Sequence, residues 1–276
     1  MQERTSAAGA KSSAPALLLD RPQAGVAVVT LNRPETRNSL SLAMIDALHT
    51  ALLDLAKDSG VAAIVLTASG PVFSAGHDLK ELSVHRADAD RGIAFFEETM
   101  TRCSAMMQAI VACPKPVIAA VQGTATAAGC QLVATCDLAV AATSAKFCTP
   151  GVNIGLFCSA PMVALSRNVA RKRAMEMLLL GEMISAKDAA EYGLINRVVP
   201  DAEVLRAAVG LAGKIAAKSP VTVATGKAAF YAQAEMGLSE AYDYASKVMV
   251  ENMMARDAEE GISAFLEKRK PKWTGR

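Results

Sequence analysis

The chain is poor in aromatic residues. Phe, Trp and Tyr make up 4% of its 276 residues, and there is one tryptophan, Trp273. Core volume must then come from Ala, Leu, Val, Ile and 13 methionines, which suits close-packed helices and β-branched strands. Charge of one sign is lacking too. Against 29 basic residues stand 27 acidic ones, a net +2, so no global field steers the protein to nucleic acid. No run of about 20 residues is continuously apolar, so no membrane span is expected. The start lacks the apolar stretch of a secretory signal and reads as a flexible Ser/Ala-rich segment over residues 1–15, with a short transit peptide as the alternative. The cysteines at 103, 113, 130, 136, 148 and 158 show no CxxC spacing, which speaks against zinc and thioredoxin chemistry. They are expected to be reduced, mostly buried thiols in a cytosol-like compartment. Nucleotide-binding GxGxxG and P-loop patterns, HExxH and GxSxG are all missing, so no metal and no resident cofactor is expected.

What remains is a long globular pattern, 52% hydrophobic and 20% charged, which excludes disorder for the bulk. Leu17–Leu19 and Val26–Leu31 read as a hairpin around Pro22 and Gly25, followed by a polar loop from Asn32 to Asn38. Leu40, Met44, Leu48, Leu52 and Leu55 recur at helical spacing, ending near Gly60. Val61–Thr67 is a buried strand, Gly70–Leu82 a loop, and Ala89–Cys113 a mostly polar helix stopped by Pro114 and Pro116. A strand over Val117–Val121, a small-residue passage over Thr124–Gly129, a helix over Cys130–Cys136 and a strand over Asp137–Ala141 follow. This alternation predicts an α/β core with crossovers. Beyond Cys158 the pattern is almost all helix. Ser185 to Asp188 forms a capping box, Asp201 caps a helix to Lys218, and Pro220 opens the next one. Two more helices are expected over Ser239–Met254 and Ala258–Lys268.

Only three histidines exist; His49 reads as structural and His85 as solvated. Two glycine-bearing junctions each follow an apolar strand: Phe73 to Glu81 around Gly76, and Gly123 to Leu132 around Gly129. Small residues there let a ligand approach the backbone, and free N–H groups at a helix start suit an oxyanion.

These junctions, with Leu31-Asn32-Arg33-Pro34, Lys115 to Gly123, Cys136-Asp137, Ile184-Ser185-Ala186 and Ala264 to Lys270, carry a resemblance. From about Val26 to Trp273 the sequence resembles the crotonase, or enoyl-CoA hydratase/isomerase, family. The resemblance implies an α/β fold: a crotonase-like ββα spiral core over residues 16–200, then a C-terminal helical trimerisation region over 201–276. It implies a homotrimer or dimer of trimers, in the cytoplasm or in the mitochondrial matrix of a eukaryote. It implies a coenzyme A thioester as substrate or ligand, with the backbone N–H groups of His77 and Ala128 as an oxyanion hole. It also implies a CoA site at Ala75, Asp78 and Leu79, completed by Phe265 and Lys268, with Arg269 and Lys270 adding positive charge near the phosphates.

One departure bears on activity. The two glutamates of the family's hydratases match Gln131 and Gly151 here. Glutamine takes up no proton near neutral pH and glycine has no side chain, while each positioned acid–base group contributes about a hundred- to ten-thousandfold. Hydration is therefore expected to be weak or absent. Two alternatives stay open: an active hydratase or isomerase with relocated groups, for which His77, His85 and Cys158 are the candidates, and a structural or regulatory oligomer without ligand. Cys158 reads first as an ordinary buried thiol, and Ser159 as the cap of the next helix. Gly151, Phe157 and Met162 are the candidates for shaping the acyl pocket.

Overall fold

The computed structural model describes residues 14–276. Of the flexible segment expected over residues 1–15, all but Ala14 and Pro15 lie outside the described residues. The expected hairpin is present: β1 (Leu17–Gln23) pairs antiparallel with β2 (Gly25–Leu31), longer on its first arm than the apolar run suggests. Next comes α1 (Leu42–Lys57), which buries Met44, Ile45, Leu48, Leu52 and Leu55 on one face. The Ser41 hydroxyl caps it by accepting from Met44 N.

From there the chain repeats one motif. β3 (Val61–Ala68) enters a large sheet, and β4 (Val72–Ser74) enters a small one. Helices α2 (Leu79–Val84) and α3 (Ile93–Ala112) return the chain. β5 (Val117–Val121) then lies parallel to β3, β6 (Thr124–Thr126) lies parallel to β4, and α4 (Ala128–Thr135) returns again. β7 (Leu138–Ala142) and β8 (Lys146–Cys148) make a third coil. Each coil is ββα, so the chain is a spiral whose successive turns stack strand on strand. The middle strands are covered on both faces, hence their continuous Val, Ile and Ala.

The remainder is α5 (Pro161–Asn168), α6 (Arg171–Leu180), β9 (Ile184–Ser185), α7 (Ala186–Glu191), β10 (Arg197–Val199), α8 (Val204–Ala216), α9 (Pro220–Gln233), α10 (Leu238–Met253) and α11 (Arg256–Leu266). The large sheet is ordered β1-β2-β3-β5-β7-β10 and the small one β4-β6-β8-β9.

Several readings of the sequence are corrected. The loop over Gly70–Leu82 contains β4 and the start of α2, and the region after Cys158 contains β9 and β10. The polar helix starts only at Ile93, after a turn at Gly92 with φ +87°. Asp201 does not cap a helix. It sits in a 3-10 turn, accepts from Ser144 N at 3.1 Å, and α8 begins at Val204. Ser159 is no cap either; its hydroxyl turns to the Phe157 carbonyl, and Ala160 holds the cap position of α5. The capping box at Ser185 and Asp188, and the Ser219-Pro220 start, are found as read.

The division at residue 200 falls just before α8, and α8 packs on β2, β3, β5 and β7, burying Val204, Ala208 and Ala212. Small side chains at this spacing bring the helix close to the sheet. Helix α9 has no fully buried residue and is held instead by charge. The Lys227 ammonium, on a side chain 6% exposed, donates to Asp137 Oδ2 at 2.7 Å, Ile110 O at 2.8 Å and Lys115 O at 3.2 Å. Asp137 also accepts from Val117 N and from the Tyr231 hydroxyl. Every ammonium proton has an acceptor, which is what makes a buried ion pair tolerable.

The C-terminal tail folds back on α11. Asp257, 1% exposed, accepts from the Ser219 hydroxyl at 2.6 Å, Thr274 N at 2.6 Å, the Thr274 hydroxyl at 2.9 Å and Gly275 N at 3.0 Å. Burial pushes this carboxyl up, but the donors outweigh it and hold it at about 2. The Trp273 indole N–H donates to Ala217 O at 2.9 Å. Because the folded value lies below the ordinary one, this contribution to stability is full above about pH 4 and is lost as pH falls through about 2. Asp257→Asn should loosen the tail even at neutral pH, shifting the emission of the sole tryptophan to the red and lowering Tm. Unchanged fluorescence and Tm would contradict this account.

Candidate active site

Two turns of the spiral meet at one point. The first runs from β4 through Ala75, Gly76 and His77 to Asp78, which opens α2. The second runs from β6 through Ala127 to Ala128, which opens α4. Glycine makes the meeting possible. A Cβ on Gly76 would lie 2.9 Å from Ala127 Cβ, 3.0 Å from Thr126 O and 3.1 Å from Ala128 N, and φ there is +83°. A Cβ on Gly129 would overlap the Ser74 carbonyl. The Thr126 hydroxyl donates to Ala75 O at 3.0 Å and ties the two turns directly.

The polar loop after β2 braces the first turn. Asn38, fully buried, donates to Ser69 O and Val72 O at 2.9 and 2.8 Å and accepts from Arg33 N. Ala75 N donates to Arg37 O at 3.0 Å, the Ser74 hydroxyl to Asn38 O at 2.9 Å, and Leu40 N to Gly76 O at 2.8 Å. Leu40 and His77 form a parallel bridge of this kind, which turns the His77 N–H away from Leu40.

The second turn carries backbone strain. Ala127 has φ +51° and ψ −120°, a conformation rare outside glycine. Its own N–H is used, donating to Cys148 O at 3.0 Å. The unusual ψ sets the plane of the next peptide and so the direction of the Ala128 N–H. As the first residue of α4, Ala128 has no partner for that N–H within the helix.

Gln131 lies one helical turn beyond Ala128, on the same face. It is 6% exposed, and its Oε1 is buried without a hydrogen-bond partner. His77 Nε2 is in the same condition. Burial lowers the pKa of His77, so its ring is neutral near pH 7. Unsatisfied buried polar atoms are rare, and of the three among the described residues, two belong to residues in or just beyond the two turns and the third is Gln122 Oε1.

Gly151 follows β8 in a 3-10 turn over Pro150–Ile154. Its surroundings are full. A Cβ there would lie 2.8 Å from Leu156 O and 2.9 Å from Cys158 Sγ, and Leu156 N donates back to Gly151 O at 2.9 Å. The thiol of Cys158 thus fills the space a side chain at 151 would need. Burial pushes Cys158 up, and Cys148 up to about 11, so neither is a ready thiolate. All six cysteines are free and buried.

The other expected site residues fall as follows. The Asp78 carboxylate is committed to structure, accepting from Lys80 N, Glu81 N and the Ser39 hydroxyl. Ala75 already uses both its N–H and its carbonyl within the fold. Leu79 is exposed. Phe265 projects from α11 with 82% exposure, and Lys268 follows in a left-handed turn, φ +57°. Arg269 is taken by Glu260 and Glu267 in bidentate and monodentate pairs, leaving Lys268 and Lys270 as the cations of that cluster. His85 stacks on Phe95 at 3.6 Å and pairs with Asp88 at 2.7 Å, and His49 lies half-buried in α1. What the sequence did not reveal was the strain at Ala127 and the filled space at Gly151. Two surface grooves of about 590 and 240 Å³ lie elsewhere, beside the β1–β2 turn and between β1 and α1. Among the described residues there is no cluster able to hold a metal ion and no helix long and apolar enough to cross a membrane.

The chain is similar to known proteins in sequence and in fold. Human enoyl-CoA hydratase domain-containing protein 3, mitochondrial, is 48% identical over 267 residues, covering 97% of this chain and 86% of its own. Its crystal structure matches with a TM-score of 0.88 at 47% identity, over 94% of this chain and 100% of that one. An enoyl-CoA hydratase crystal structure from Mycobacterium smegmatis matches with a TM-score of 0.89 at 53% identity, over 94% and 99% of the two chains. The family model for enoyl-CoA hydratase/isomerase spans residues 21–276. The coiled ββα core and its crossing turns are therefore a crotonase fold, and the chain belongs to the enoyl-CoA hydratase/isomerase family.

Proposed function

We propose that this protein binds acyl-CoA or enoyl-CoA thioesters, polarises the thioester carbonyl between the His77 and Ala128 N–H groups, and hydrates enoyl-CoA weakly or not at all. The observation that carries the reading is the close contact of Gly76 with Ala127 and Ala128, which sets the turn before His77 against the strained turn that opens at Ala128. A thioester oxygen gains negative charge in enolate-forming steps, and each fixed donor aimed at it is worth about a hundred- to thousandfold. The orphaned Gln131 and His77 atoms support a polar ligand beside that point. Against hydration stands the chemistry of Gln131 and Gly151, neither of which moves a proton.

Phe265 and Lys268, with Lys270, would meet the nucleotide of the same ligand. Ala75, Asp78 and Leu79 would serve through backbone atoms, since the Asp78 side chain is engaged. The exposed apolar surface of α9, α10 and α11, with Phe230, Leu238, Tyr242, Met254 and Phe265 uncovered, supports a homotrimer or dimer of trimers. Six buried thiols suit a reducing cytosol or mitochondrial matrix.

Calorimetry with saturated acyl-CoAs should show binding, while crotonyl-CoA hydration should stay far below ordinary enzymatic turnover of about 1 to 1,000 per second. Hydration at such rates would overturn the reading, and absence of any CoA-ester binding would favour a purely structural oligomer. Light scattering on the same sample should return three or six times the mass of one chain; a monomer mass would refute the assembly. Restoring a side chain at 151 should fail structurally. Gly151→Ala is expected to cost about 1–3 kcal/mol through overpacking against Leu156 O and Cys158, as read from urea denaturation. A variant as stable as the parent would show that the turn yields freely.

A further inference from the structure

Helix α11 has little apolar hold on the protein. It buries only Asp257 and Ala264, and its Ile262, Phe265 and Leu266 are exposed. Its cap residue, Ala255, offers no side-chain bond. Residues 269–276 supply the attachment. The chain reverses at Lys268 in the left-handed region, and Arg269 N donates to Ala264 O at 2.9 Å. From there it runs back along one face of α11. The Arg269 guanidinium and Lys272 N donate to Glu260, the Trp273 ring lies over Gly261, and Thr274 and Gly275 reach Asp257. Residues 257, 260, 261 and 264 share that face by helical spacing. A Cβ on Gly261 would lie 3.2 Å from the indole, so the ring sits directly on the helix backbone. Asp257 N donates in turn to Arg276 O at 3.0 Å.

The same segment also grips the rest of the protein. The Trp273 indole reaches Ala217 at the end of α8, and the Ser219 hydroxyl, which caps α9, donates to Asp257 Oδ2 at 2.6 Å. One buried carboxylate therefore joins three pieces: α11, the start of α9 and the strap. None of its four donors is charged, so losing any of them leaves a buried charge poorly compensated. We propose that this strap, clasped at Asp257, is the positioning element for Phe265 and Lys268, and that it sets the affinity for the nucleotide half of a CoA ester. The inference rests on the nucleotide contacts proposed above. Lys268 is itself the residue at which the strap reverses, and its N–H donates to Phe265 O. With the strap closed, both side chains start from a fixed helix end. With the strap open, that end frays, and binding must supply the ordering of both side chains. The thioester half, placed at the crossing of the two turns, has no such dependence.

Calorimetry with hexanoyl-CoA and with hexanoyl-pantetheine, which carries the same thioester without the nucleotide, separates the two halves. Asp257→Asn should raise the hexanoyl-CoA Kd about tenfold, with the hexanoyl-pantetheine Kd unchanged. Gly275→Pro should do the same from within the strap. There φ is +73°, which proline does not adopt, and the N–H to Asp257 is lost. This variant leaves every helix untouched and carries the test if Asp257→Asn melts early. Thr274→Ser keeps the hydroxyl that meets Asp257 and should keep the parental affinity. Parental hexanoyl-CoA affinity in Gly275→Pro overturns the proposal, as does an equal loss for both esters. A parent that binds the two esters equally removes the nucleotide contact and the proposal together, and spares the thioester site. A parent that binds neither overturns the thioester reading as well.

Discussion

The site depends on close contact between two peptide segments about fifty residues apart. Gly76 and Gly129 are the positions where a methyl group would force them apart, one against Ala127 and Ala128, the other against the Ser74 carbonyl. Stacking of short strands in the small sheet brings the segments near each other; the missing Cβ atoms let them touch. The Thr126 to Ala75 hydrogen bond then fixes the contact sideways. Side chains alone would not do this, because what meets at the crossing is backbone, whose position is only as good as the path of the chain.

That path is held from outside. Asn38 spends its whole amide on the backbone of residues 33, 69 and 72, and Arg37, Asn38 and Leu40 bond the first turn from behind. The second turn is held by the bond from Ala127 to Cys148 in the following coil. Such bracing offsets the unfavourable dihedrals at Ala127, a cost of the order of 1–3 kcal/mol. The first turn is thus braced by the loop before it and the second by the coil after it, so geometry at the crossing is a property of the spiral.

Much of this was legible in the residues. The apolar spacing of α1, the branched run of β3 and the proline-flanked β5 announce themselves through period and composition. β4, β6 and β8 did not, because three residues are too few to show alternation. They are strands only because neighbouring coils pair with them. The two glycine junctions were visible as motifs, but the contact between them was not, since nothing in a string says that residue 76 lies on residue 127. Asp201 and Ser159 misled for a related reason: a good capping residue was claimed by a nearer or better-placed partner, Ser144 N in one case and the Phe157 carbonyl in the other. The filled space at Gly151 depends on a turn folding back five to seven residues later, which no local pattern encodes.

That last feature works as a ratchet. Gly151 permits the Leu156 carbonyl and the Cys158 thiol to settle against it, and once settled they bar any larger residue. A carboxylate could be placed at position 131 by a single exchange within an intact helix. At position 151 the same exchange first demands a rebuilt loop. Fitting a pair of carboxylates here is therefore unequal work at the two positions: one exchange at 131, several at once at 151.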